Sequence, residues 1–265
     1  FKQKTAYEIM PSLVGSEMCI RDRLWGWRAP FLATAVTGLF ILYGIRTSLR
    51  ETHIPKDNRR ILHQFWHSTT TFLSHRQSVF GVLVVAVSMI GIMGLISGSS
   101  SLVIEQYGYP IKNFGFIFAL TGVAVLIGAS INRRLLLRFE TVQIIGIGAA
   151  IAGLAGVQLL VMAWLGEAPF WGLGGSSCLY MCATGLLISN ATALALDPVP
   201  QIAGVASSIM GTIQSGSGAV AAIVSSALYT GTIANVALVV GFSGISALLV
   251  FTLRPLILGT DKKDA

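Results

Sequence analysis

The sequence predicts an all-α polytopic membrane protein with about seven transmembrane helices, and three observations carry that prediction. The first is where charge is missing. No Asp, Glu, Lys or Arg occurs in residues 78–104, 113–132, 141–166, 168–196 or 198–253. A spanning helix needs about 20 mostly apolar residues, whereas a soluble helix of that length carries a charged face. The second is composition. The 265 residues are 54% hydrophobic and 11% charged, with a mean hydropathy of +0.74, against about 25% charged in soluble domains. The third is where the charge is found. The net charge of +7 sits in short joints between apolar runs, which is the pattern of positive-inside topology. Basic residues dispersed in this way do not build a nucleic-acid surface.

Taken in order, residues 1–23 show the period of neither a helix nor a strand and lack the apolar core of a signal peptide. Their segments KQKTAYE and SLVGSEMCIRDR resemble translated flow-cell and transposon-end sequencing adapters. Residues 1–23 are therefore expected to be an adapter-derived artefact, with native sequence starting near Leu24, part-way into a longer protein. Spans are expected at about 29–46, 78–99, 113–132, 141–165, 170–195, 203–228 and 233–253. The window 198–253 is long enough to cross a bilayer twice, with a polar joint at Tyr229-Thr230-Gly231-Thr232.

Twelve basic residues lie on one side of this arrangement. Arg46, Arg50, Lys56, Arg59, Arg60 and Arg76 follow the first span. Arg133, Arg134 and Arg138 follow the third, and Arg254, Lys262 and Lys263 close the chain. The other side has Arg28 and Lys112. The bias makes the first side cytoplasmic, with Leu24 outside and the C-terminus inside. In the joint 47–77, Ile61, Leu62, Phe65, Trp66, Phe72 and Leu73 fall close to helical spacing beside Arg59 and Arg60. This reads as an amphipathic helix in the membrane interface, serving as a cytoplasmic linker. His63 and His67 are four apart, but neither Cys nor a placed carboxylate completes a metal site.

Ionisable groups inside spans mark function by default, and few are present. Glu105, Glu140 and Asp197 all sit at span ends. Membrane hydrolases and transferases need clustered His, Asp, Glu or Cys, so an enzyme is not expected. Cys178 and Cys182 share one helix face and read as packing residues. Ser97, Asn190 and Gln214 are the substrate-cavity candidates, because amides are costly toward lipid. Interhelical hydrogen bonding is an equal reading of the same residues. Ala203, Ser207, Gly211, Ser215 and Ala219 repeat every four positions and form a stripe that lets backbones approach.

Several segments carry a family resemblance. GWRAPF at 26–31, SGSSSLVIEQYGYPIKNFGFIFAL at 97–120, ASINRRLLLR at 129–138 and NATALALDPVPQIAGVASSIMGTIQSGSGA at 190–219 appear in the order seen in the major facilitator superfamily. Within it they resemble the bicyclomycin-resistance (Bcr/CflA) branch of drug:proton antiporters. The resemblance implies helix six at 24–46, the cytoplasmic linker at 47–77, the second six-helix bundle at 78–256 and a cytoplasmic tail at 257–265. It implies substrate held between two halves near the midplane, here small amphipathic compounds or drugs. It also implies no cofactor beyond a proton gradient, and an inner-membrane location. The partners implied are the lipid bilayer, a small-molecule substrate and the N-terminal half of the same chain. Gly128, Arg133 and Arg134 match the second copy of the family's conformational loop motif, which holds one gating state; Arg133 also reads as a plain topology anchor. A transporter of another solute (amino acid, polyamine or sugar) is the near alternative. A seven-span receptor or membrane subunit is the distant one.

Overall fold

The computed structural model describes residues 28–48, 61–108, 110–166, 169–228 and 233–258. The adapter-like segment, the basic cluster from Arg50 to Arg60, the joint at 229–232 and the two terminal lysines lie outside the described residues. The chain divides into two compact units, Phe1–Arg60 with Pro110–Lys112, and Ile61–Tyr109 with Asn113–Ala265. Within the first, helix α1 spans Ala29–Ser48. It is apolar all round, and its hydroxyls bond back to the helix. Thr37 donates to the Ala33 carbonyl at 2.8 Å and Thr47 to that of Tyr43 at 2.9 Å, which satisfies them without water.

The second unit is a helical bundle. Its helices are α2 (Ile61–Ser74), α3 (Arg76–Ser101), α4 (Ile111–Leu135, in this unit from Asn113), α5 (Thr141–Leu165), α6 (Phe170–Leu196), α7 (Ala203–Ala227), α8 (Ala234–Thr252) and a final turn, α9 (Arg254–Leu258). No strand occurs among the described residues. Helix α3 packs against α6, α7 and α8, and α5 packs against α6 and α8.

Among the described residues, six helices are long and apolar enough to cross a membrane: Phe31–Ser48, Arg76–Ile104, Ile117–Leu135, Thr141–Leu165, Phe170–Leu196 and Ala234–Thr252. The remaining expected span, 203–228, forms a helix of 25 residues, about 37 Å long at 1.5 Å per residue. It has the length, but Ser207, Ser208, Thr212, Gln214, Ser215 and Ser217 keep its composition below the apolarity of the others.

Local chemistry sets the helix limits. Glu140 caps α5 through a reciprocal capping box with Gln143, whose Oε1 accepts from the Glu140 amide at 3.1 Å. This pairs amides that the first turn leaves without partners. Gly166 ends the same helix at φ 71°, a left-handed conformation that favours glycine. Helix α3 runs on into one π-helical turn, Leu102–Gln106, which turns Leu102 and Val103 into the core.

Interior contacts depend on small residues because lipid offers no hydrophobic drive between helices. A Cβ at Gly156 would lie 2.9 Å from the Gly241 carbonyl oxygen, and one at Gly244 would meet that of Ala152, so α5 and α8 cross with backbones in contact. Polar side chains then cross-link the helices. Ser243 on α8 donates to the Val87 carbonyl at 2.7 Å, and its Oγ lies 2.6 Å from the hydroxyl of Tyr180 on α6. Ser78 at the start of α3 donates to the Ala195 carbonyl at the end of α6 at 2.8 Å. Helices α3 and α6 are therefore antiparallel. Their shared end also holds Val142 and Leu258, which line one crevice with His75, Arg76, Leu194 and Pro198.

Helix α2 divides the apolar residues expected on one face. Phe72 is fully buried against the bundle, whereas Trp66 is 65% exposed, with Phe65 and Leu73 also exposed.

Candidate functional site

Two cavities lie between α3, α4 and α6. The larger, about 640 Å³, is lined by Ile92, Phe118, Gly122, Asn132, Met181 and Ser189 among others. It runs from the middle of the helices toward the end where α4 and α6 finish. The smaller, about 340 Å³, is lined by Leu95, Phe114, Phe118, Phe170, Trp171 and Cys178 among others. It occupies the opposite end, where α3 finishes and α4 and α6 begin. Both volumes fall within the roughly 300–1,000 Å³ of small-molecule pockets. Phe118 and Thr121 line both cavities.

The larger cavity is mostly apolar: the hydroxyls of Thr121 and Thr184 in its wall bond back to their own helices, and an amide network lies at its far end. Asn190 donates to Asn132 Oδ1 at 2.6 Å and to the Leu186 carbonyl at 2.7 Å. Asn132 donates to Ser189 Oγ at 3.2 Å, and Ser189 to the Gly185 carbonyl at 2.8 Å. A buried amide left without partners costs about 1–3 kcal/mol, and this relay meets that cost across two helices. No Asp, Glu, Lys or Arg is buried among the described residues. The site is therefore suited to apolar groups and neutral hydrogen-bonding groups.

The residues expected to face a cavity separate. Asn190 does not face it: it is 3% exposed and spends its amide on Asn132 and the helix backbone. Of the two readings left open by the sequence, interhelical bonding describes its position. Its partners Asn132 and Ser189 line the cavity instead. Ser97 is exposed and Gln214 half-buried, and neither lines the two cavities.

Gly128 is buried in the α4–α6 contact. A Cβ there would meet the Cys182 carbonyl oxygen, and one at Gly185 would lie 2.9 Å from that of Val125. Gly128 therefore packs two helices together, whatever part it has in a loop motif. Arg133 and Arg134 are exposed in the last turn of α4, where positive charge complements the helix dipole.

The stripe on α7 makes no contact within this bundle. Ala203, Ser207, Gly211, Ser215 and Ala219 are all exposed. Helix α7 packs with its other side, through Ala206, Met210, Gly218, Ala221 and Ser225. A Cβ at Gly218 would meet Met93 at 2.8 Å, and Ser225 donates to the Gly94 carbonyl at 3.4 Å. The small-residue stripe is left as an open face of this bundle because α3 is occupied by the opposite face.

Asn132, Ser189 and Phe118 carry little signal in the sequence. Asn132 stands beside two arginines and reads as a helix-end residue. Only the pairing of its amide with that of Asn190 marks it out.

The comparisons agree with this architecture. The chain is 28% identical over 200 residues to the bicyclomycin resistance protein homolog of Haemophilus influenzae, covering 75% of this chain and 50% of that protein. It is 26% identical over 223 residues to multidrug resistance protein D of Escherichia coli strain K12, covering 81% of this chain and 53% of that protein. The chain spans about half the length of these curated relatives. Residues 22–222 match the Major Facilitator Superfamily as a family, over a stretch that runs from α1 through most of α7. With its charge-free spans, its strand-free bundle and that match, the chain belongs to the major facilitator superfamily.

Proposed function

We propose that this chain is the substrate-binding wall of a proton-coupled efflux transporter that exports small amphipathic compounds, drugs included, by alternating access. The observation that carries the reading is the cavity between α3, α4 and α6. It is large enough for a drug-sized molecule, its walls are apolar, and the Asn132–Asn190–Ser189 relay supplies neutral donors and acceptors at one end. A phosphorylated or strongly anionic solute asks for buried Arg or Lys, and none is buried among the described residues. The names of the two relatives, a bicyclomycin resistance protein homolog and a multidrug resistance protein, support the same substrate class.

In this reading a second bundle supplies the opposite wall and the proton-carrying carboxylate, and packs on the open stripe of α7. The bundle end that carries Arg76, Arg133, Arg134 and Arg254 is the cytoplasmic end, and the membrane is the inner membrane. Arg133 and Arg134 hold one gating state from that side. Such a protein transports and is not an enzyme.

The test is dye efflux from cells that express the protein, with ethidium as the probe and a protonophore as the control. Gly122 lines the cavity, and a Cβ there meets nothing within 4 Å, so Gly122→Leu fills the cavity without disturbing the fold. Protonophore-sensitive efflux that Gly122→Leu abolishes supports the reading. Efflux unchanged by Gly122→Leu refutes this cavity as the site.

A further inference from the structure

We infer that the smaller cavity is a second binding chamber in series with the larger one, and that it holds an uncharged aromatic ring of the exported compound. This rests on the efflux reading of the larger cavity. Three observations support it. The two cavities meet at Phe118 and Thr121, and Thr121 Oγ1 donates to the Phe118 carbonyl at 2.6 Å, which ties the dividing residues into one helical turn. The chamber wall is aromatic on two sides. Phe114 stacks on Phe118 at 5.6 Å between centroids, and Phe170 meets Trp171 edge-on at 5.5 Å. Rings arranged face-on and edge-on receive another flat ring better than a flexible chain does. Finally, Leu102 and Val103 in this wall belong to the π-helical turn, a departure from α-helix that recurs at functional sites. Phe118 is then the partition that a compound's ring passes on its way from the amide-ended chamber to the aromatic one.

The chamber carries its own reporter and its own plug. Cys178 lines it and is half-buried. Gly174 also lines it, and a Cβ there meets nothing within 4 Å. Gly174→Leu therefore occupies the chamber, and the exchange of glycine for leucine favours the helix. The experiment measures alkylation of Cys178 by N-ethylmaleimide in the full-length transporter, with every other cysteine, Cys182 included, replaced by alanine and N-phenyl-1-naphthylamine as the ligand. At ten times its Kd the ligand slows alkylation about tenfold. Gly174→Leu weakens that protection about tenfold or more in Kd.

Absence of protection overturns the inference, even where Gly122→Leu abolishes efflux and the efflux reading stands. Equal protection by dodecane also overturns it, because the chamber is then a cleft for lipid chains. Protection by the aromatic probe alone, lost in Gly174→Leu, supports the chamber even where Gly122→Leu leaves efflux intact and the larger cavity is refuted as the site.

Discussion

Gly128→Ala adds one methyl group at the point where α4 and α6 touch. In the wild-type chain a Cβ at this position would meet the carbonyl oxygen of Cys182 and lie 3.0 Å from its carbonyl carbon and 3.1 Å from its Cα. These are backbone atoms of a neighbouring helix, so no rotamer change relieves the clash. The helices have to separate by about 1 Å, a gap that forfeits a quarter to a half of each dispersion contact between them. Overpacking of this kind costs about 1–3 kcal/mol.

Gly122 on the same helix is the control, since a Cβ there meets nothing within 4 Å. Gly122→Ala gains up to about 1 kcal/mol of helix propensity. The two substitutions are chemically identical and are predicted to have opposite signs. Thermal unfolding of both purified variants in detergent, followed by far-UV circular dichroism, reads the difference. A midpoint moves by roughly 2–4 °C per kcal/mol in a chain of about this size, so the two variants separate by several degrees. If Gly128→Ala is as stable as Gly122→Ala, the α4–α6 contact described above is wrong. The conformational-loop reading of Gly128 then stands alone.

Three further predictions concern the polar links and the open face. In a double-mutant cycle of Asn132→Leu and Asn190→Leu, the coupling is expected at about 0.6 kcal/mol and no more than about 1.7, and additive losses count against the relay. Tyr180→Phe removes the hydroxyl that bonds to Ser243 while leaving Ser243 its bond to Val87. It is expected to cost about 1 kcal/mol, measured by the same unfolding assay, and a cost above about 3 would show that the hydroxyl does more than cross-link. Gly211→Leu on the exposed stripe of α7 is expected to leave the unfolding midpoint of this chain within a degree or two. In the full-length transporter it is expected to reduce dye efflux, and normal efflux would show that nothing packs on that stripe.

Much of the fold was legible because charge marks the ends of spans. Thr141–Leu165 follows directly from the interval between Glu140 and Glu167, and Phe170–Leu196 ends beside Asp197. Direction within the bundle was not legible. Helices α3, α5, α6 and α8 are apolar all round, so their sequences do not distinguish the face toward a neighbour from the face toward lipid. Asn190 was readable as a costly buried amide, but its partner was not, because Asn132 lies 58 residues earlier. On α7 two stripes compete, one through Ala203, Ser207 and Gly211, the other through Ala206, Met210 and Gly218. Four-residue spacing fits both, and only the methionines of α3 decide which one is covered.

The polar composition of α7 bears on how the chain enters a membrane. The translocon releases a segment into lipid according to its own hydrophobicity, and α7 is the one long helix of the bundle that falls short of the apolarity of a membrane span. Its neighbour α8 is strongly apolar and follows after a short joint. The two are suited to insert as a hairpin, with α8 carrying α7. Met89, Met93 and the Gly94 carbonyl of α3 then give the serine- and glycine-rich helix a protein surface in place of lipid. Stable insertion of α7 is thus expected to depend on the α3 surface that receives it.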